Sequence, residues 1–434
     1  MEKKVNKNKS CLSRRDFIKT SAAVSLAAMA PGSRYAYAAG SDKIRVGLIG
    51  CGNRGTRAGI SDCADSSKGI ELVAMGDLFQ DRVDEAPKKI KERMLEKKLP
   101  FDQIYKVTPE TTFVGFDAYK KVIACDVDMV ILTTPPHFRP IHLKAAIEAG
   151  KHAFIEKPAA VDPVGVRSLI ASAELAQQKG LAIVAGTQSR HSLREKAIMK
   201  RIHDGAIGKV VAGQCYRLGD ELWYHERQPS WSDMEYQVRN WLYYVWLSGD
   251  FVSEMHIHQL DKMNWAVGSH PIKVAGIGGR QVRTDPKFGN VYDTLGAEIE
   301  YPNDVRVSYM GRQINGCGYR TSTRAVGTKG WSLLGGKIEG QNPYEYKGVL
   351  TNPAVQEFTD MVNSIRSGEP LNEGKRIAES SLTSIMVRMS AYTGREISWN
   401  WAMNASKLDL SPPKYEFCDL PVRPVAMPGI TKLI

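Results

Sequence analysis

The chain reads as an α/β protein whose N-terminal half forms an open, doubly wound parallel sheet. Two observations predict this. Short, apolar, β-branched runs alternate with helical stretches, and the first of those runs flows directly into a glycine-rich turn. At 434 residues the chain also exceeds a comfortable single core, so two domains are expected.

The first run, Lys43–Ile49, suits a buried parallel strand and leads into Gly50-Cys51-Gly52-Asn53-Arg54-Gly55. A helical stretch follows, then a second strand-like run, Glu71–Met75, which ends at Gly76-Asp77. Gly50 permits the tight turn, Gly52 lets the backbone approach a pyrophosphate, and Gly55 lets the helix pack close to the strand. Backbone N–H groups of Asn53 and Arg54 at the helix start favour the anion. Asp77, 22 residues after Gly55, is placed to accept the adenosine ribose hydroxyls, and its charge repels a 2′-phosphate. The reading is therefore a Rossmann dinucleotide site that takes NAD.

The alternation continues. Val127–Thr133 is a buried strand ending in Thr134-Pro135-Pro136-His137, and the helix His142–Ala149 follows it. The strand His152–Ile155 ends at Glu156-Lys157-Pro158. The helix Pro163–Lys179 then leads to the strand Ala182–Ala185, which ends at Gly186-Thr187-Gln188. Ligands on such sheets sit beyond the carboxyl ends of the strands. Asp77, Thr134, Pro135, His137, Glu156 and Lys157 all fall there, and that shared edge marks the expected site.

The formal net charge of +12 does not point to nucleic acid. Residues 1–38 hold eight basic and two acidic side chains, so half of the excess lies in a short N-terminal segment and the remainder is thinly spread. That segment reads as an address. Ser13-Arg14-Arg15-Asp16-Phe17-Ile18-Lys19 precedes a short apolar run, Ser21–Ala30, and then Ala36-Tyr37-Ala38. The run is too short to span a bilayer, and the paired arginines resemble a twin-arginine export signal, with cleavage expected after Ala38. Export implies a periplasmic or otherwise external location. Six cysteines follow the leader with no CxxC spacing, so single thiols are expected rather than a disulfide framework.

Glu156-Lys157-Pro158 after a strand, roughly a hundred residues beyond the glycine turn, resembles the signature of the Gfo/Idh/MocA oxidoreductases. The resemblance covers nearly the whole chain after the leader. It implies a C-terminal α+β domain around a large, mainly antiparallel sheet. Lys209–Arg217, Ile272–Thr284, Thr294–Tyr301, Asp304–Gly311 and Thr321–Thr328 read as its strands. The expected division is a signal at 1–38, the NAD-binding domain at 39–186, and a substrate-binding and oligomerisation domain at 187–434 whose last helices pack back. The late signature of the family is matched by Glu357–Ser367 and by Ser390-Ala391-Tyr392-Thr393-Gly394-Arg395.

The second catalytic motif of the family is matched by Glu254, His258 and Asp261, which would share one helical face. Glu254 stands where the family more often has Asp, and His256 replaces a small residue. The resemblance implies that Lys157 orients the reacting hydroxyl, that His258 takes its proton, and that Glu254 balances the pair. The cluster around His256 and His258 lacks the H-E-x-x-H pattern, so no metal is expected. Aromatic and polar residues before this motif, among them Tyr236, Arg239, Asn240 and Trp241, suit a carbohydrate subsite. Gln188, Arg190 and His256 are further pocket candidates.

The expected activity is oxidation of a secondary hydroxyl of a sugar or glycoside, with hydride passing to tightly bound NAD. An exported enzyme meets no obvious pool of free NAD, which also opens a redox-neutral, NAD-dependent glycosidase as an alternative. A sugar-binding sensor is a third reading. By resemblance the chain is expected to form a homo-oligomer.

Overall fold

The computed structural model describes residues 43–434, so the leader and its cleavage site lie outside the described residues. Six strands, β1 (Ile44–Ile49), β2 (Ile70–Asp77), β3 (Thr112–Val114), β4 (Met129–Leu132), β5 (His152–Ile155) and β6 (Ile183–Ala185), form a wholly parallel sheet. Their order is β3-β2-β1-β4-β5-β6. The direction of winding reverses between β1 and β4, so a crevice opens beyond their carboxyl ends. Successive side chains of β1 enter opposite cores. Ile44, Val46 and Leu48 join one cluster with Ile60 and Met129, while Ile49 joins the other with Leu132, Ile155 and Leu143.

The helices explain themselves locally. In α1 (Gln80–Glu96), Val83, Ala86, Ile90 and Met94 recur at helical spacing and are all buried. After α2 (Arg139–Glu148), α3 (Pro163–Lys179) starts with proline in its first position and the Asp162 carboxylate accepting from Gly165 N at 2.7 Å. It stops at Gly180, whose φ of +65° is left-handed. Further along lie α4 (Asp233–Arg239), α5 (Phe251–Glu254), α6 (Ile257–Val267), α7 (Pro353–Arg366) and α8 (Gly374–Thr393).

A second sheet follows: β7 (Val210–Gly219), β8 (Lys273–Gly279), β9 (Thr294–Tyr301), β10 (Val305–Gln313), β11 (Arg320–Gly327), β12 (Gly330–Leu333), β13 (Lys337–Gly340), β14 (Tyr344–Glu345) and β15 (Ile397–Ser398). Its order is β14-β13-β12-β11-β7-β10-β9-β8-β15, antiparallel except for the β7–β10 pair. On β10, Val305, Val307 and Tyr309 are buried while Arg306, Ser308 and Met310 face solvent. Helices α6 and α8 cover the inner face. The Cys215 thiol reaches Gln259 O at 3.5 Å, and Gly276 N donates to Ser390 Oγ at 2.7 Å.

Two sequence expectations change. The strand expected to run to Thr284 stops at Gly279. There one carboxylate oxygen of Asp293 accepts the N–H groups of Gln281, Val282 and Arg283 at 2.7–3.0 Å, curling the chain away from the ladder. Glu254 and His258 do not share one helix: α5 ends at Glu254 and α6 begins at Ile257. Two late segments also return to the first sheet. Phe358 of α7 stacks on Phe154 of β5 with ring centroids 4.2 Å apart. The tail beyond α8 is anchored by Leu410 N donating to Asp162 at 2.8 Å and Leu420 N donating to Asp233 at 3.2 Å.

Candidate active site

A cavity of about 630 Å³ opens beyond β1, β2 and β4. Gly50, Gly52, Asn53, Arg54 and Asp77 line it from one side and Thr134 and Pro135 from the other. Gly50 has φ +102°, and a Cβ there would lie 2.8 Å from the Thr133 hydroxyl. A Cβ on Gly52 would meet nothing within 4 Å, so the backbone faces open space where a pyrophosphate fits. A Cβ on Gly55 would strike Gly50 O at 2.0 Å, which is the close helix–strand contact.

Asp77 Oδ2 accepts from Cys51 N at 2.6 Å and Oδ1 from Phe79 N at 3.0 Å, so the carboxylate stands fixed at the tip of β2. Burial raises its pKa, and those N–H groups together with Arg82 pull the other way. Turn, open glycine, cavity and acid together fit NAD. Arg54 pairs with the buried Glu156, whose other oxygen accepts from Lys157 N at 3.2 Å, so Glu156 braces the turn against the catalytic strand end. Nearby Glu357 is fully buried and neither of its carboxyl oxygens has a hydrogen-bond partner. Burial, then the Glu156 charge, pushes its pKa well up, against the pull of Arg54, whose guanidinium lies 3.8 Å away.

A second, smaller group of residues meets beyond β5. Lys157 Nζ lies 2.9 Å from Glu254 Oε1 and also donates to the Glu254 carbonyl, which the break between α5 and α6 leaves free. His258, the second residue of α6, is partly buried and its ring carries no hydrogen bond. Desolvation, with the Lys157 charge beside it, pushes its pKa down to about 3, so the imidazole is neutral.

The other expected pocket residues scatter. Gln188 sits partly exposed at the end of β6. Arg190 is spent on Asp261, with Nε to Oδ2 at 2.8 Å and Nη2 to Oδ1 at 3.0 Å. Asp261 also accepts from Ser380 at 2.7 Å, so it holds α6 to α8 and does not act beside His258. Asn240 is fully buried and clamps the backbone of His225 through both ends of its amide, at 2.6 and 3.1 Å. His256 lies in the core with Nδ1 2.6 Å from the Tyr309 hydroxyl. His137 is buried against Trp246 and bonds the Tyr415 hydroxyl at 2.8 Å. Tyr236 packs on Tyr244. The polar groups of Arg190, Asn240 and His256 are thus committed inside the fold, because each found a partner that the sequence could not display.

Arg239 and Trp241 line the dinucleotide cavity. Arg239 forms a two-pronged pair with Asp81 at 3.0 Å on each prong and lies over the Phe79 ring at 3.9 Å. Phe417 of the tail stacks on Phe79 at 5.9 Å and tilts against Phe116 at 5.4 Å. Sequence reasoning missed Phe79, Phe116 and His142 in the cavity wall, and the tail that packs on the first two, since nothing in their spacing signals that they meet. Among the described residues, no group of three or more His, Cys, Asp or Glu side chains could hold a metal ion, and no helix is long and apolar enough to cross a membrane.

Residues 44–186 match the family description "Oxidoreductase family, NAD-binding Rossmann fold", and residues 196–332 match "GFO/IDH/MocA C-terminal domain". The chain belongs to the Gfo/Idh/MocA family. Its first sheet is the family's NAD-binding domain, and its cofactor is NAD. Residues 11–31 match the twin-arginine translocation signal, which assigns export by that route. Among relatives, the chain is 28% identical over 177 residues to the 2,7-anhydro-N-acetylneuraminate hydratase of Escherichia coli K12, covering 41% of this chain and 43% of that protein. It is 26% identical over 229 residues to an alpha-N-acetylgalactosaminidase of Shewanella oneidensis, covering 51% and 46%. The Gfo/Idh/MocA chain thus spans less than half the length of these curated relatives. In fold it resembles the aldose-aldose oxidoreductase of Caulobacter crescentus, with a TM-score of 0.60 at 21% identity over 82% of this chain and 99% of that one.

Proposed function

We propose that this chain oxidises a secondary hydroxyl of a sugar or glycoside, with NAD held tightly in the dinucleotide cavity. The observation that carries the reading is the Lys157–Glu254 pair at 2.9 Å beside a neutral His258, at the carboxyl edge of the sheet whose β1 turn fits NAD. Bound there, NAD supplies the hydride acceptor. Lys157 donates a hydrogen bond to the substrate hydroxyl oxygen and stabilises the charge that grows on it as its proton leaves. The His258 ring has no hydrogen bond and is neutral, so it accepts a hydrogen bond from that hydroxyl; with its pKa held down to about 3 it relays the leaving proton to solvent and does not retain it. Glu254 holds the lysine in place through its carboxylate and its carbonyl oxygen.

The twin-arginine signal and a relative named as an alpha-N-acetylgalactosaminidase favour a second reading, a redox-neutral glycosidase that restores its NAD within each cycle. Retention of His258-Gln259-Leu260-Asp261 favours the oxidoreductase. The exposed side chains of Ile277 and Met310 on the outer face of the second sheet support a homo-oligomer.

The test uses mature protein purified without added cofactor and a panel of natural and nitrophenyl glycosides. Keto-sugar formed only beside a sugar acceptor, and lost in Lys157→Ala, supports the oxidoreductase. Aglycone release without net oxidation moves the assignment to the glycosidase. Absence of NAD together with failure to bind added NAD ends both.

A further inference from the structure

Arg217 stands on β7 with no hydrogen bond or ion pair to any described residue. Its side chain lies on the inner face of the second sheet. Two and four residues earlier on that strand, Cys215 bonds Gln259 O and Gly213 abuts Met263, both on α6. The ladder then sets Arg217 opposite Gly311 on β10 and Thr321 on β11. A Cβ on Gly311 would lie 2.7 Å from His256 Nδ1, which fixes this end of the strand beside the start of α6, where His258 projects.

Neither Gly311 beside it nor Gly219, the next inward position on β7, sets a side chain against the guanidinium, and the room over Gly311 is taken by the Tyr309 hydroxyl and the His256 ring. The Tyr319 ring, 68% exposed, comes within 3.5 Å of where a Gly219 Cβ would sit, and its hydroxyl accepts from Thr321 at 3.0 Å. A partly exposed guanidinium with no partner therefore stands near an exposed aromatic ring. The contrast with its neighbours is chemical: Arg54, Arg190 and Arg239 each have a carboxylate partner.

We propose that Arg217 anchors a carboxylate of the substrate, so that the sugar taken by this chain is an acidic one of the uronic acid kind, with Tyr319 stacking on its ring. The inference rests on the reading that the sugar enters beside Lys157 and His258. A carboxylate matches a single guanidinium fork, with two parallel N–H···O bonds. A phosphate dianion would call for a second free cation, and Lys157 is already held by Glu254. The Arg217 charge also helps to keep the His258 imidazole neutral, and a bound carboxylate would weaken that influence.

The experiment is calorimetric titration of the NAD-loaded mature chain with methyl β-D-glucuronide and with methyl β-D-glucoside, at low and high salt. The acid is expected to bind about tenfold or more tightly, with the advantage shrinking as salt rises. Arg217→Ala should bring the two affinities together, and Arg217→Lys should keep part of the difference. Melting temperature and NAD content check that each variant is folded, and the wild-type salt dependence decides the matter should a variant fail to fold. Equal affinities, no binding of the acid, or a preference that survives Arg217→Ala overturns the inference. Tight, Arg217-dependent binding of the acid without reduction of the bound NAD would instead overturn the oxidoreductase reading and leave the anchor in place.

Discussion

The dinucleotide cavity and the Lys157 site sit at one sheet edge, yet they differ in how many of their polar groups are left unpaired. Around the cavity the charges are already paired: Asp77 with two backbone N–H groups, Arg54 with Glu156, and Arg239 with Asp81. Phe79 and Phe116 line it, and the tail's Phe417 packs against both rings. At the Lys157 site, Lys157 and Glu254 pair with each other, while Arg217 and the His258 ring have no hydrogen-bond partner. A site that holds one resident group spends its polar groups on its own walls, whereas a site that admits and releases substrate keeps some of them free.

The sharpest way to break this comparison is to remove a group of the Lys157 site and watch the cavity. Lys157→Ala should cut sugar oxidation by roughly a hundredfold or more while the protein still carries its NAD. Loss of NAD in this variant would mean that the two regions are not separable.

Within the cavity, two glycines should part company. A valine at Gly52 meets open space in the fold, so Gly52→Val should keep the melting temperature and lose NAD. Gly55→Ala drives a methyl into Gly50 O and should cost about 1–3 kcal/mol of stability by denaturant titration. Equal loss of stability in both would contradict the view that Gly52 is kept for the ligand.

A smaller effect is expected at the clasp. Arg239→Ala removes the two-pronged pair with Asp81 and the cover over Phe79, and should speed NAD dissociation about tenfold. Displacement of bound NAD by an excess of labelled NAD measures it, and an unchanged rate would show that the clasp plays no part in retention.

The smallest effect is the pH dependence of stability. Burial holds His137 and His152 at about 4 and His142 and His258 at about 3, below the ordinary value near 6.5. Below that value the unfolded chain takes up more protons than the folded one, so stability falls as pH drops from about 6.5 towards 4. His191, raised by Asp360 and Glu373 against the pull of burial, works the other way. With His225 and His256 also depressed, six lowered histidines stand against the raised His191 and the raised Glu357 carboxyl, and melting temperature should decline by several degrees from pH 7 to pH 5. A flat profile would mean that these rings are wetter than their packing indicates.

The parallel sheet was legible because its runs are short, β-branched and separated by helices, and because Gly50, Gly52 and Gly55 carry backbone requirements that a sequence displays directly. Lys157 and Glu254 were legible through family resemblance, and the structure brings them to 2.9 Å. The walls were not legible. Asn240 and His256 look like free polar groups in a list of residues, and only folding supplies the His225 backbone and the Tyr309 hydroxyl that occupy them. Arg239 and Trp241 lie among aromatics that suit a sugar, yet α4 and the turn after it carry them to the cofactor side. The tail that brings Phe417 to Phe79 has no periodicity, so no pattern could announce it.

The most direct test of the account is a single-turnover measurement on mature protein purified without added cofactor. Sugar is mixed with the protein, and the near-ultraviolet absorbance of the reduced nicotinamide is followed. The account predicts that NAD matching the chain in amount is present beforehand and becomes reduced when sugar is added, and that reduction fails in Lys157→Ala. A protein that carries no NAD, or whose bound NAD no sugar reduces, would contradict it.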